Sequence, residues 1–236
     1  MDKVNCYIAL TNHSRNKFID SGLPAEKIVV KSNSVYADPG SRDQTEDCAL
    51  FIGRFSQEKG LGTLLSAWRL LEGRPRLKIA GDGPLRQTFE DLVAHYEMSN
   101  VHFEGQIPRG PLIETLKKVR FLVFPSECHE SFGMTLVESF ACGVPVIASR
   151  LGAMEEIVED GRTGLHFKPG DSVDLAAKIG WAWTHPAEME AMGRAARAEY
   201  ELKYTAEHNY QKLMDIYRWV IAGCRAPQRP AVETQH

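Results

Sequence analysis

No stretch of about 18 apolar residues occurs in the 236-residue sequence, so no membrane-spanning helix is predicted. The opening, Met1-Asp2-Lys3-Val4-Asn5, lacks the basic-then-apolar layout of a secretory leader. Cysteine is scarce: five residues, at positions 6, 48, 128, 142 and 224, an odd number with no Cys-x-x-Cys pair. That pattern gives neither a disulfide framework nor a zinc ribbon. Reduced thiols predict a cytoplasmic protein, at most peripheral at the inner membrane face. Excess charge is missing as well. With 28 basic against 31 acidic residues the net charge is −3, which leaves no concentrated positive field for nucleic acid. An anionic ligand has to be held by a few local charges and by backbone amides. The Walker spacing, the His-Glu-x-x-His pair and the Gly-x-Ser-x-Gly elbow are all absent. Neither a metal site nor a serine nucleophile is predicted.

What the sequence does have is alternation. Cys48-Ala49-Leu50-Phe51-Ile52 is a short apolar run that stops at Gly53. Apolar residues at helical spacing follow from Leu61 to Leu71. Further strands are predicted at 77–80, 101–103, 121–124 and 145–149, with helices near 84–97, 112–119 and 135–141. Strands apolar on both faces and separated by helices predict an α/β fold, a parallel sheet with helices on both faces. Such sheets bind ligands beyond the carboxyl ends of their strands. The turns at Gly53, Gly81-Asp82-Gly83 and Gly105 fall at those ends. Residues 5–35 read as a separate small unit: strand 6–10, helix 14–21, strand 28–30. The polar stretch 38–43 reads as a linker. After Gly170, helices are predicted at 172–184, 187–199 and 205–221. The polar end beyond, with two prolines, reads as a disordered tail.

Three segments carry chemistry. Gly53-Arg54-Phe55-Ser56-Gln57-Glu58-Lys59-Gly60 follows a strand and opens a helix, where backbone N–H groups and the helix dipole favour an anion. Arg54 and Lys59 add positive charge, and arginine grips phosphate oxygens bidentately. The alternative is a solvated loop with two surface cations. Gly81-Asp82-Gly83-Pro84 lacks the third glycine of a dinucleotide fingerprint. It reads first as a tight turn, with Asp82 near a helix start and Pro84 at the first helical position. The densest segment is Cys128-His129-Glu130-Ser131-Phe132-Gly133-Met134-Thr135-Leu136-Val137-Glu138. Gly133 allows close backbone approach to a ligand, and the amides of Met134 and Thr135 fall at a helix N-terminus. Glu138 lies inside an otherwise apolar helical stretch, where a carboxylate is costly unless it accepts strong hydrogen bonds. A ribose diol supplies two such donors, and dinucleotide folds use an acidic residue that way. The competing readings are a loop carboxylate for Glu130 and a buried salt-bridge partner for Glu138. A glycosidase pair needs a separation of about 5 to 9.5 Å. A continuous helix would separate residues 130 and 138 by about 12 Å of rise, but a break at Phe132-Gly133 leaves their distance open; separate jobs fit better, Glu130 at the loop and Glu138 in the helix.

Taken together, these segments resemble retaining glycosyltransferase family 4, with its two-domain GT-B fold. The resemblance runs from about Ala49 to Tyr217. It rests on Gly53-Arg54 with Lys59-Gly60, on Ala80-Gly81-Asp82-Gly83-Pro84, on Phe103-Glu104-Gly105, and on the Glu-x7-Glu pattern of Glu130 and Glu138. It continues through Ala141-Cys142-Gly143-Val144-Pro145 and Glu156-Ile157-Val158-Glu159-Asp160-Gly161 to Thr163-Gly164-Leu165. It implies a Rossmann-like donor-binding half at 41–203 and a crossover helix at 204–224, with 225–236 the tail. Residues 1–40 would be the last strand–helix–strand of an acceptor-side domain plus linker. It implies that Arg54 and Lys59 hold the donor diphosphate, with Gly53 and Gly81 in the surrounding turns. The backbone at Ile107 would meet the base. Ser131, Phe132, Gly133, Met134 and Thr135 would face phosphates and sugar, Glu138 would bind the ribose, and Glu130 would sit beside the donor sugar as the catalytic-site carboxylate. The donor would be a UDP- or GDP-sugar, transferred with retention to an unknown acceptor glycan, lipid or small molecule, with no cofactor or metal required. Such enzymes have a complete first domain. The expectation is therefore donor binding with little transfer by this chain alone. The alternative is a nucleotide-sugar-binding module without turnover, completed by a partner chain.

Overall fold

The computed structural model describes residues 3–42, 44–71 and 75–223. Cys224 and the predicted tail 225–236 lie outside the described residues. Strand β1 (Tyr7–Ala9), helix α1 (Asn12–Asp20) and strand β2 (Ile28–Val30) come first. The main body runs β3 (Cys48–Ile52), α2 (Leu61–Trp68), β4 (Arg76–Ala80), α3 (Arg86–His95), β5 (Val101–Gly105), α4 (Arg109–Lys117) and β6 (Phe121–Phe124). It continues with α5 (Met134–Ala141), β7 (Val146–Ser149), α6 (Ala153–Ile157) and β8 (Gly164–Phe167). Helices α7 (Ser172–Thr184), α8 (Pro186–Lys203) and α9 (Ala206–Ile221) follow.

The main sheet is parallel, in the order β5-β4-β3-β6-β7-β8. Its central strands β3, β6 and β7 are buried on both faces because both faces are covered, whereas the outer β4 and β5 alternate apolar residues with more exposed polar ones. Along β3, Cys48 and Leu50 enter one core with Leu122, Phe124, Val146 and the apolar side of α5. Ala49 and Phe51 enter the other with Leu77, Ile79, Val123 and helices α2 and α7. This is the two-residue period of a strand expressed as two cores. Each fully buried large aliphatic or aromatic side chain contributes about 1.5–3 kcal/mol. From β3 the chain steps outward to β4 and β5, then returns to β6 on the other side of β3. That reversal opens a crevice beyond the carboxyl ends of β3 and β6, where open α/β sheets take ligands.

Several expectations shift. The predicted small unit forms as a parallel β1–α1–β2 motif, but it is not separate. The carboxylate of Glu156, the fourth of the five residues of α6, accepts from the Asn12 and His13 amides at 2.9 Å and from Asn12 Nδ2 at 2.7 Å. On the other side, Lys31 donates to Asn209 of α9, and Val35 bridges to Thr205. The expected linker is bound as well, since Asp38 takes two hydrogen bonds from Arg197, at 2.6 and 2.7 Å. Pro84 precedes α3 by two residues instead of opening it, and Asp82 pairs with Arg86 at 3.4 Å. Helix α4 begins at Arg109, three residues before the predicted start. Pro111 is tolerated there because its missing N–H would have no intrahelical partner in the first turn.

Candidate functional site

Two loops meet where β3 and β6 end. The loop after β3 carries Lys59 and Gly60; the loop after β6 begins Pro125-Ser126-Glu127. They are stitched together: the Glu127 amide donates to the Glu58 carbonyl at 2.8 Å, and Ser126 Oγ lies 3.2 Å from the same carbonyl. The contact is so close that a Cβ at residue 60 would stand 1.9 Å from the Pro125 carbonyl oxygen, and Gly60 has φ +69°. Only glycine fits there. The consequence is a pairing across 71 residues of sequence, in which Lys59 Nζ donates to Glu130 Oε1 at 2.5 Å. Ser126 Oγ donates to the same oxygen at 2.7 Å. A half-buried carboxylate thus has a cation and a hydroxyl on one oxygen.

A second stitching sets Arg54. The Gly53 amide donates to the Ala80 carbonyl, and the Phe55 amide to the Asp82 carbonyl. A Cβ at Gly81 would lie 1.9 Å from the Gly53 carbonyl oxygen, so the glycines of Gly81-Asp82-Gly83 serve loop-to-loop packing. Two adjoining cavities share Ile52, Gly53 and Arg54. One, of about 320 Å³, is lined by Lys59, Glu130 and the run Ser131-Phe132-Gly133-Met134-Thr135. The other, of about 630 Å³, is lined by Gly81, Asp82, Gln106, Ile107 and Leu112. Gly133 takes φ +83° and turns the chain into α5. Its first-turn amides lack intrahelical acceptors, and Met134 and Thr135 line the smaller cavity.

Every residue expected at the site thus lines one cavity or the other, except Glu138. That residue sits in the second turn of α5, and its Oε1 lies 3.3 Å from Arg109 Nε. Burial pushes the Glu138 carboxyl above its ordinary range, and Arg109 offsets part of that rise. Glu130 and Glu138 therefore have different partners, which fits separate roles. Sequence reasoning passed over Arg109, Ser126 and Asn33. Asn33, in the segment after β2, lines the smaller cavity. His129, next to Glu130 in the loop, stacks on His13 of α1, with ring centroids 4.8 Å apart. Beside it, Ser14 Oγ donates to the Ser131 carbonyl at 3.3 Å. The N-terminal motif thus touches the Glu130 loop.

A parallel α/β lobe with its groove at the switch point is also the architecture of one half of GT-B glycosyltransferases, and solved structures of that class share this fold. The Anabaena protein HepE in complex with UDP superposes with a TM-score of 0.81 over 91% of this chain and 64% of its own, at 21% identity. Sucrose-phosphate synthase from Thermosynechococcus elongatus gives 0.82 over 92% and 59%, at 25% identity. The sequence pattern that defines the family "Glycosyl transferases group 1" matches residues 36–199. The chain belongs to that family. An uncharacterized glycosyltransferase of Methanocaldococcus jannaschii is 33% identical over 178 residues, 75% of this chain. A D-rhamnosyltransferase of Pseudomonas aeruginosa is 34% identical over 160 residues, 66% of this chain. The chain spans about half the length of these curated relatives, 48% and 41% respectively. Among the described residues no helix is long and apolar enough to cross a membrane.

Proposed function

We propose that this chain is the donor-binding part of a retaining, metal-independent glycosyltransferase that uses a UDP- or GDP-linked hexose or N-acetylhexosamine. The observation that carries the reading is the Lys59–Glu130 pair, which faces the N-terminus of α5 across one cavity that Arg54 also lines. A diphosphate there meets two cations and the free amides of Met134 and Thr135. Preorganised positive charge stabilises the diphosphate as it leaves the sugar, the task a divalent ion performs in other transferases. Glu130 stands at the sugar end of that array, oriented by Ser126. The larger cavity takes the base, against the backbone at Ile107, and the ribose diol reaches beyond the cavity lining to Glu138. The presence of UDP in the HepE complex supports a uridine nucleotide; the choice between UDP and GDP belongs to the experiment.

Transfer needs a second wall to bring the acceptor. We assign that wall to an acceptor-side domain that the β1–α1–β2 motif would complete, supplied by the same polypeptide or by a partner. Titration calorimetry of the chain with UDP and GDP tests the donor site: micromolar to millimolar binding of one is expected, and binding of neither overturns it. Affinity should be unchanged by EDTA. Transfer by the purified chain at ordinary enzyme rates would overturn the need for a second wall. Normal binding without transfer in the full assembly would instead leave a sugar-binding module.

A further inference from the structure

The residue that faces Glu138 is Arg109, and its placement serves more than charge balance. It opens α4 directly after Ile107-Pro108, two residues beyond Ile107 and three before Leu112, both of which line the larger cavity. Its Nε lies 3.3 Å from Glu138 Oε1 and its Nη2 donates to the Tyr36 carbonyl at 3.3 Å. The guanidinium at the start of α4 therefore ties α5 to the stretch joining β2 to β3. Arg109 is 58% exposed and Glu138 17%. An ion pair this open adds little to fold stability, so its effect falls on the carboxylate it faces.

We propose that Arg109 is the positioning residue for ribose recognition, anchored on the Tyr36 carbonyl, aiming Glu138 and keeping its carboxylate charged. This rests on the reading of Glu138 as the ribose acceptor. A charged carboxylate accepts from both hydroxyls of a diol; a protonated one loses part of that capacity. Burial favours the protonated form of Glu138 and Arg109 opposes it. Other titratable groups on the packed elements are committed elsewhere or lie beyond ion-pair reach. Lys117 of α4 pairs with Glu114, Arg197 of α8 binds Asp38 and Glu201, and Cys142 of α5 is a thiol that burial pushes up to about 12.

The test compares wild type with Arg109→Gln and Arg109→Lys. Calorimetry measures UDP affinity from pH 5.5 to 8. The ratio of variant to wild type is read, because it cancels the titration of UDP itself. For Arg109→Gln the loss should grow as pH falls, from roughly threefold at pH 8 to roughly tenfold or more at pH 5.5. Arg109→Lys should recover most of it, and on a Glu138→Gln background the pH-dependent part should vanish. Carbon-13 NMR of the Glu138 carboxyl in the nucleotide-free chain gives an independent reading, in which the midpoint should rise in Arg109→Gln. A loss independent of pH, with an unmoved midpoint, overturns the proposal. If wild type binds neither UDP nor GDP, the donor-site reading fails and the ribose role fails with it. The carboxyl midpoint still decides whether Arg109 sets the charge of Glu138.

Discussion

Lys59 reaches Glu130 because Gly60 lets two loops touch, so residue-scale predictions begin there. Gly60→Ala would add a Cβ 1.9 Å from a carbonyl oxygen at a left-handed φ. Backbone strain of that kind costs about 1–3 kcal/mol before the clash is counted. Urea unfolding should show a midpoint well below wild type, and nucleotide affinity should fall as Lys59 is displaced. Lys59→Ala should weaken UDP but leave uridine unaffected, since only the diphosphate uses the cation; equal loss for both would place Lys59 elsewhere. Glu138→Ala should weaken UDP by about 1–3 kcal/mol through lost ribose hydrogen bonds, as measured by calorimetry with the fold intact. Arg54, Lys59, Glu130 and Glu138 were legible in the sequence because each stands in a short motif at the end of a strand or the start of a helix. Arg109, Ser126 and Asn33 were not. Each is an ordinary polar residue whose part depends on contacts between segments tens of residues apart, and no local spacing announces those.

Among the elements, the main strands were readable for a physical reason: β3, β6 and β7 are buried on both faces and therefore apolar but for Ser149 at the end of β7. The edge strand β8 was overlooked, being four residues long with a histidine inside. His166 is accommodated because its ring nitrogens lie 3.3 Å from the Ala148 carbonyl and 2.8 Å from the Val158 carbonyl. Helix α6, five residues long, shows no full helical period. Yet α6 carries Glu156, which accepts the first amides of α1 where Thr11 already caps the Ser14 amide. Glu156→Ala leaves those donors unmet, a cost of about 1–3 kcal/mol. Hydrogen exchange should then accelerate in residues 12–20 ahead of the main sheet. Uniform acceleration across both would mean that α1 does not depend on α6.

At the scale of the whole molecule, a pH dependence follows from its carboxylates. The side-chain hydrogen bond from Arg197 holds Asp38 below its ordinary range. Burial pushes Glu199 up, but hydrogen bonds from Lys203 and Arg162 outweigh it and hold Glu199 low. A carboxyl group depressed in the folded state stabilises fully above its unfolded value and loses that contribution as pH falls toward the folded one. The urea midpoint should be flat from neutrality to about pH 5 and fall below it, where unfolded carboxylates begin to take up protons. An unchanged midpoint at pH 3.5 would contradict this.

Contacts between distant segments join Lys59 to Glu130 in the smaller cavity and, away from it, Asn12 to Glu156 and Asp38 to Arg197, across 71, 144 and 159 residues of chain. Loops that long close late, and topologies dominated by distant pairings fold slowly. The β3–β6 pairing spans a stretch as long, from Ala49 to Phe121, so a partly folded chain would lack both the closed sheet and the Lys59–Glu130 cavity. Nucleotide would recognise only the finished molecule and drain the equilibrium toward it. At a concentration of one hundred times Kd that is about 2.7 kcal/mol of added stability. The cellular pool of activated sugar would then govern how much of this protein survives as well as how much of it works.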